Sequence, residues 1–342
     1  MKINKVLVTG GTGYIGSHTV LRLLECGYEV TVIENLSNSS VEVLDSIKKL
    51  TKKTVKFYRV NLLNKAELEN VFAENKFDAV IHLAAYKAVG ESVKNPLMYY
   101  DNNLISTLNV LSLMKEFNID NFVFASSATV YGDPKKIPIT EDEAIKPESP
   151  YANTKAIIES IMKDLSKEKL NSISLRFFNP LGAHPSGEIG EEPSGIPKNL
   201  APFIAQVAIG KIEKLKVFGN DYPTKDGTCI RDYLHVMDLA EAFVCALRKL
   251  DESPNGYEAF NIGSGSGYSV FDIVHAFEKC TGKKINYEII GRRPGDVPEL
   301  RADSKKANHL LKWKQTKNLD EMCRDTWKWQ SRHPNGYESK SL

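Results

Sequence analysis

The segment Gly10-Gly-Thr-Gly13-Tyr-Ile-Gly16 constrains this chain more than any other. Before it, Lys5-Val-Leu-Val-Thr9 is short, apolar and β-branched, which reads as a strand. After it, apolar residues recur at helical spacing from Ile15 to Cys26, and Glu29-Val-Thr-Val-Ile-Glu34 reads as a second strand. Strand, glycine turn, helix and strand make a βαβ unit with a right-handed crossover. Glycines in that turn permit tight turning, close approach of backbone to a pyrophosphate, and close packing of helix on strand. The helix N-terminus then offers free N–H groups to phosphates. The spacing is G-x-x-G-x-x-G rather than the commoner G-x-G-x-x-G. Alone such a loop marks only a tight turn; its place between strand and helix points to a nucleotide.

Glu34 closes the second strand, where an acid can accept hydrogen bonds from both hydroxyls of an adenosine ribose. It would repel a 2′-phosphate, so NAD is expected over NADP. The alternation continues, with strands expected at Val55–Arg59, Ala79–Leu83, Asn121–Ser126 and Ser172–Phe177, and helices between them, including Met98–Phe117 and Tyr151–Leu170. Strands alternating with helices imply an α/β fold on a doubly wound parallel sheet, of Rossmann type. Ligands bind beyond the carboxyl ends of such strands. We expect residues 1–180 to form the dinucleotide domain. Residues 181–342 would form a smaller α/β substrate domain, with segments within about 231–262 returning to the first.

Tyr151 and Lys155 stand four residues apart on an expected helix, and so on one face. A free phenol, with a pKa near 10, is a poor base at neutral pH. A positive charge about 4 Å away is worth roughly 4 kcal/mol at an effective dielectric of about 20. That would lower the phenol by about three units. The expectation is a tyrosine made basic by its lysine, although the pattern Y-x-x-x-K is common by chance.

The net charge of +2 gives no electrostatic case for nucleic acid or membrane as a partner. Cys26, Cys229, Cys245, Cys280 and Cys323 are scattered, with no C-x-x-C, and read as core residues or free thiols of a reducing compartment. A strand candidate begins at Lys5, so no export signal is expected and a cytoplasmic location is. His82, His184 and His235 lack close ligand spacing and an acidic cluster, so no metal is expected. Trp327 and Trp329 read as a packing segment.

The glycine loop, His82-Leu-Ala-Ala, Ser127 and the Tyr151/Lys155 pair resemble the extended short-chain dehydrogenase/reductases. The likeness extends to Lys87-Ala-Val-Gly-Glu-Ser92, Tyr99-Tyr-Asp-Asn-Asn103, Ser126–Gly132, Asn179–Gly187, Phe218–Thr228, Arg231–Ala240 and Asp325–Gln330, which resemble the UDP-glucose 4-epimerase family over nearly the whole chain. The resemblance implies an isomerase that interconverts UDP-galactose and UDP-glucose through transient oxidation at C4. Tyr151 would be the proton carrier, Lys155 would tune it and bind the nicotinamide ribose, and Ser127 would orient the reacting oxygen. By the same likeness, NAD would be surrounded by Gly10, Gly13, Tyr14, Ile15, Gly16, Glu34, Asn35, Asn38, Ser39, Asn61, Leu62, Leu83, Ala84, Ala85, Lys87, Asn102, Ser127, Tyr151, Lys155 and Phe178. The family often has aspartate where Glu34 and Asn61 stand. Glu34 keeps the charge, whereas Asn61 keeps only a carbonyl acceptor for an adenine amino group.

The resemblance further implies a UDP-sugar site of Asn179, Asn199, Leu200, Phe218, Arg231, Arg293, Asp296 and Leu300, beside Ser127 and Tyr151. Arg231 and Arg293 would clamp the diphosphate, which suits guanidinium groups. Asp296 would accept from the uridine ribose, and Phe218 would pack near the uracil. In the family, a tyrosine at the place of Leu300 restricts the site to glucose and galactose, and a small residue admits N-acetyl sugars. Leucine lies between, so some tolerance for UDP-GlcNAc and UDP-GalNAc is expected. A homodimer through the helices at 102–117 and 151–170 is implied as well. Three rivals fit less well. A nucleotide-sugar 4,6-dehydratase needs an acidic pair where Ala128 and Thr129 stand, a net dehydrogenase does not explain the UDP-like loops, and a regulatory NAD binder would not need Ser127, Tyr151 and Lys155 together.

Overall fold

The computed structural model describes residues 2–192, 195, 197, 199–253, 256–293 and 295–337. In chain order its strands are β1 Lys5–Thr9, β2 Glu29–Glu34, β3 Lys56–Arg59, β4 Ala79–His82, β5 Asn121–Ser127, β6 Asn171–Phe177, β7 Asn179–Leu181, β8 Leu215–Phe218, β9 Ile230–His235, β10 Tyr257–Ile262, β11 Gly267–Ser269, β12 Tyr287–Ile290 and β13 Glu299–Leu300. The α-helices are α1 Tyr14–Glu25, α2 Val43–Thr51, α3 Lys65–Glu74, α4 Val89–Lys94, α5 Pro96–Tyr100, α6 Ser106–Glu116, α7 Pro150–Leu165, α8 Leu200–Ala208, α9 Val236–Glu252, α10 Val270–Thr281 and α11 Leu319–Arg332.

Seven parallel strands form the main sheet in the order β10-β6-β5-β4-β1-β2-β3. Its central strands carry apolar side chains on both faces, as a sheet covered by helices on both sides requires. One core cluster packs α1, α2 and α9 against one face, and a second packs α3, α6 and α7 against the other. Strand order reverses between β1 and β4, and ligands of open α/β sheets bind at the mouth of that crevice.

A smaller sheet joins β11, β9 and β13, with β7 also on β9. A two-stranded piece pairs β12 with β8. The stretch 231–262 therefore divides: β9 belongs to the smaller sheet, α9 packs on α1, and β10 extends the main sheet.

The helix expected over 98–117 is interrupted. A π-helical turn, Asp101–Ile105, separates α5 from α6 and turns Asn103 into the core. Among the described residues no helix is long and apolar enough to cross a membrane.

Candidate active site

Ser149 caps α7 by accepting the Ala152 N–H at 3.2 Å, and Pro150 occupies the first turn. That start fixes Tyr151 in the first turn and Lys155 in the next, both buried and facing the end of β5. Lys155 Nζ donates to the Ala125 carbonyl at 2.7 Å and lies 5.8 Å from the centre of the Tyr151 ring. It also sits 4.6 Å above the centre of the Phe124 ring. Ser127 ends β5 and is buried beside them. Its Oγ accepts from the Thr129 N–H at 3.2 Å and from the Thr129 hydroxyl at 3.0 Å. The Ser127 hydrogen is thereby left to point outward as a donor.

The electrostatics correct one expectation. On balance the Tyr151 phenol is raised above its free value rather than lowered. Burial pushes Tyr151 up to about 12, and a hydrogen bond with Ser127 works only partly against it. Burial pushes Lys155 down to about 7, against the pull of the Glu159 carboxylate. Close to neutral pH the first proton to leave this pair comes from the lysine. Attraction at an effective dielectric of about 20 is only part of the balance; desolvation penalises both charged forms. Next to the pair, His82 bridges the Thr9 and Thr107 hydroxyls at 2.8 and 3.0 Å, and burial holds it neutral, at about 3.

The turn at 10–16 lies at the mouth of the β1/β4 crevice. A Cβ on Gly10, where φ is +73°, would stand 2.7 Å from the Ala84 nitrogen, and one on Gly16 would stand 2.0 Å from the Gly10 carbonyl oxygen. Gly13 meets no neighbour closer than 3.4 Å and caps α1 without a side-chain bond. The result is an open cradle at an uncapped helix start, which fits a pyrophosphate.

Tyr14 donates to the Gly182 carbonyl at 2.6 Å. Glu34 ends β2 and accepts the N–H groups of Asn35 and Leu36 at 2.9 and 3.3 Å. Burial raises its carboxyl against those bonds. Ser39 meets Thr12 at 2.7 Å, and Asn38 is exposed beside them. The Asn61 carbonyl accepts the Leu63 N–H at 3.1 Å, so one of its lone pairs is already used. Leu62 and Phe178 are buried, while Leu83, Ala84 and Ala85 leave β4 half-buried. Asn102 donates to Asn103, which in turn binds both backbone groups of Tyr86. These positions fit an NAD that lies across the crevice.

On the other wall, Arg231 on β9 donates to the carbonyls of Ile230 and Val297 at 2.9 and 2.8 Å and pairs with Asp296 at 3.3 Å. Arg293 reaches the same carboxylate at 3.8 Å and lies 4.4 Å above the centre of the Phe218 ring. Two guanidinium groups share one carboxylate, which leaves a net positive charge suited to a diphosphate. Leu300 pairs with Arg231 across β13 and β9. Asn179 and Asn199 are exposed, and Leu200 opens α8.

Sequence reasoning missed Glu191. It accepts from Lys87 at 3.3 Å and from Asn199 at 2.9 Å, and so ties an expected cofactor residue to an expected substrate residue. Thr129 was noticed only as a non-acid. Glu159 was also missed, although a glutamate on the face shared by Tyr151, Lys155 and Ile158 could have signalled it.

The family model described as GDP-mannose 4,6 dehydratase matches residues 7–326. The UDP-glucose 4-epimerase of Bacillus subtilis is 53% identical over 98% of this chain and 99% of its own. The UDP-glucose 4-epimerase 2 of Arabidopsis thaliana is 52% identical over 98% of this chain and 97% of its own. The chain belongs to the UDP-glucose 4-epimerase family. The crystal structure of the Bifidobacterium longum UDP-glucose 4-epimerase, in complex with NAD+ and UDP, superposes with a TM-score of 0.95 at 45% identity, over 98% of this chain and 100% of that one. The dehydratase model spans the shared extended fold. In this epimerase-family chain, the stretch after Ser127 carries buried Ala128 and the serine-binding Thr129 rather than acids.

Proposed function

We propose that the chain is an NAD-dependent UDP-glucose 4-epimerase that interconverts UDP-galactose and UDP-glucose. The observation that carries the reading is the burial of Tyr151, Lys155 and Ser127 together at the end of β5, beside the open glycine cradle. Bound NAD supplies the acceptor for the C4 hydrogen and returns it to the other face of the ketone. Glycines 10, 13 and 16, Glu34, Lys87 and Asn102 would hold it.

The Tyr151 oxygen takes the C4 hydroxyl proton and later gives one back. Lys155 shares that proton load, since the two groups titrate as a pair. Ser127 donates to the reacting oxygen and aims it at Tyr151. Arg231 and Arg293 hold the diphosphate, with Asp296 turning from them toward the uridine ribose and Phe218 against the base. Asn179, Asn199 and Leu200 line the same side. Holding UDP at the far end leaves the hexose free to present either face.

The reading places NAD on residues 1–180 with α9 and β10, and the UDP-sugar on the remainder. Leu300, shorter than a tyrosine, leaves room for the acetamido pair UDP-GlcNAc and UDP-GalNAc. Exposed Ile105, Leu108 and Ile157, together with Leu97 and Met98, form an apolar face on α5–α7 that supports a homodimer. The five unpaired cysteines suit a cytoplasmic setting. The test is Tyr151→Phe in the purified protein. Loss of nearly all turnover with an unchanged melting curve is expected; near-normal turnover would refute the mechanism.

A further inference from the structure

Two turns past Tyr151, α7 buries a carboxylate with no part in the steps above. Glu159 Oε1 accepts the Ser126 hydroxyl at 2.5 Å and Arg176 Nε at 3.0 Å, and Oε2 accepts Arg176 Nη2 at 2.7 Å. Both side chains of the ion pair are more than nine-tenths buried. Arg176 is the register partner of Ser126 across β6 and β5, so one sheet position faces α7 with both groups. The guanidinium continues to the Tyr131 hydroxyl at 2.9 Å, and Tyr131 donates to Asn261 at 2.7 Å. Ser126 and Tyr131 bracket Ser127, Ala128 and Thr129. A single carboxylate on the helix of Tyr151 and Lys155 thus clamps the segment of Ser127 from both sides.

Stability alone does not account for such a pair. Taking two charges out of water costs about as much as their attraction returns, and apolar replacements of equal volume are often as stable or more so. We propose that Glu159 is a positioning residue of the reaction: held by Arg176 and one turn past Lys155 on α7, its carboxylate fixes Ser127 against Tyr151. The inference rests on the epimerase reading.

The groups facing this pair divide simply. His82 on β4 faces Lys155 and is neutral. Tyr99 on α5 faces Tyr151, while Tyr131, Glu141 between β5 and α7, and Tyr257 on β10 surround the ion pair; burial raises the Glu141 carboxyl against the pull of Arg176. Burial raises all three phenols, so they stay neutral. The cation of Arg176 is spent on Glu159. The Glu159 carboxylate is the group that favours the charged form of Lys155. Removing its charge weakens the hold of the Tyr151/Lys155 pair on its proton, and the active, singly deprotonated pair then appears at lower pH.

The experiment is the kcat–pH profile of the NAD-loaded enzyme with UDP-galactose, for wild type, Glu159→Gln, Glu159→Asp and the charge-balanced double variant Glu159→Gln/Arg176→Met. Wild-type turnover in the same series tests the epimerase reading by itself. In Glu159→Gln the acid-side midpoint falls by about one pH unit, and kcat falls about tenfold with KM little changed. Glu159→Asp restores the midpoint but keeps the lower kcat, because its shorter arm cannot hold Ser126 and Arg176 together. If the single glutamine variant does not fold, the double variant, which leaves no buried charge unpaired, carries the test. A wild-type midpoint in folded Glu159→Gln, or wild-type kcat in Glu159→Asp or in the double variant, would overturn the proposal.

Discussion

Replacing Lys155 by methionine tests the proton logic of the site most sharply. The ammonium lies 5.8 Å from the centre of the Tyr151 ring. At an effective dielectric of about 20, that distance is worth roughly 3 kcal/mol between unit charges, or about two pKa units. In the wild type the pair loses its first proton near the Lys155 value of about 7. Ionised tyrosine beside charged lysine, and neutral tyrosine beside neutral lysine, hold the same number of protons. Without the lysine the phenol must ionise alone, from a value near 12. The kcat of Lys155→Met at pH 8 should therefore fall about 100-fold, and its acid limb should move to higher pH.

Stability moves the other way. Folding lowers Lys155 from 10.5 to about 7, so between those values the unfolded chain binds the extra proton and stability rises with pH. The penalty is greatest below pH 7, and there Lys155→Met should raise the melting temperature most. The assays are a kcat–pH profile with UDP-galactose and thermal melts of cofactor-free protein at pH 6 and 9. A kcat within about threefold of wild type at pH 8, with an unmoved acid limb, would refute the reasoning.

Three further outcomes follow from the same geometry. Glu34→Ala removes the carboxylate proposed to bind the ribose; two lost charge-assisted bonds of about 1.5 kcal/mol each should weaken NAD retention roughly 100-fold, read as NAD content after gel filtration. Gly16→Ala drives a Cβ to within 2.0 Å of the Gly10 carbonyl oxygen, a backbone atom with nowhere to go. Its cost should be about 3 kcal/mol, measured by urea unfolding and accompanied by lower NAD content. Leu300→Tyr should cut turnover of UDP-GlcNAc at least about tenfold while leaving UDP-galactose little affected; absence of any UDP-GlcNAc activity in the wild type would end the tolerance argument.

Local pattern carried the sequence reading furthest where local physics decides the structure. The strand at Lys5–Thr9, the glycine turn and the start of the helix that carries Tyr151 each depend on residues close in sequence; the strand stands where the pattern placed it and the helix begins within one residue of it, though it ends at Leu165 rather than Leu170. The active pair was legible as a spacing, but its electrostatics were not. Burial of Tyr151 and Lys155 comes with the packing of α7 on β5, α4 and α5, and no window around residue 151 contains that information. The smaller sheet was equally hidden, because β7, β9, β11 and β13 are short and their partners are distant in sequence. The π-helical turn at 101–105 left no mark on the apolar periodicity, yet it aims Asn103 at the Tyr86 backbone. Glu159 and Arg176 look like ordinary surface charges until β6 and α7 are packed together.

The central claim is that one bound NAD takes the C4 hydrogen and returns it to the same carbon. The direct measurement is conversion of UDP-galactose deuterated at C4 by the protein as purified, with no NAD added. The account predicts catalytic formation of UDP-glucose with the deuterium still at C4 and no accumulation of NADH. Loss of the deuterium to solvent, or one NADH formed per sugar consumed, would contradict it.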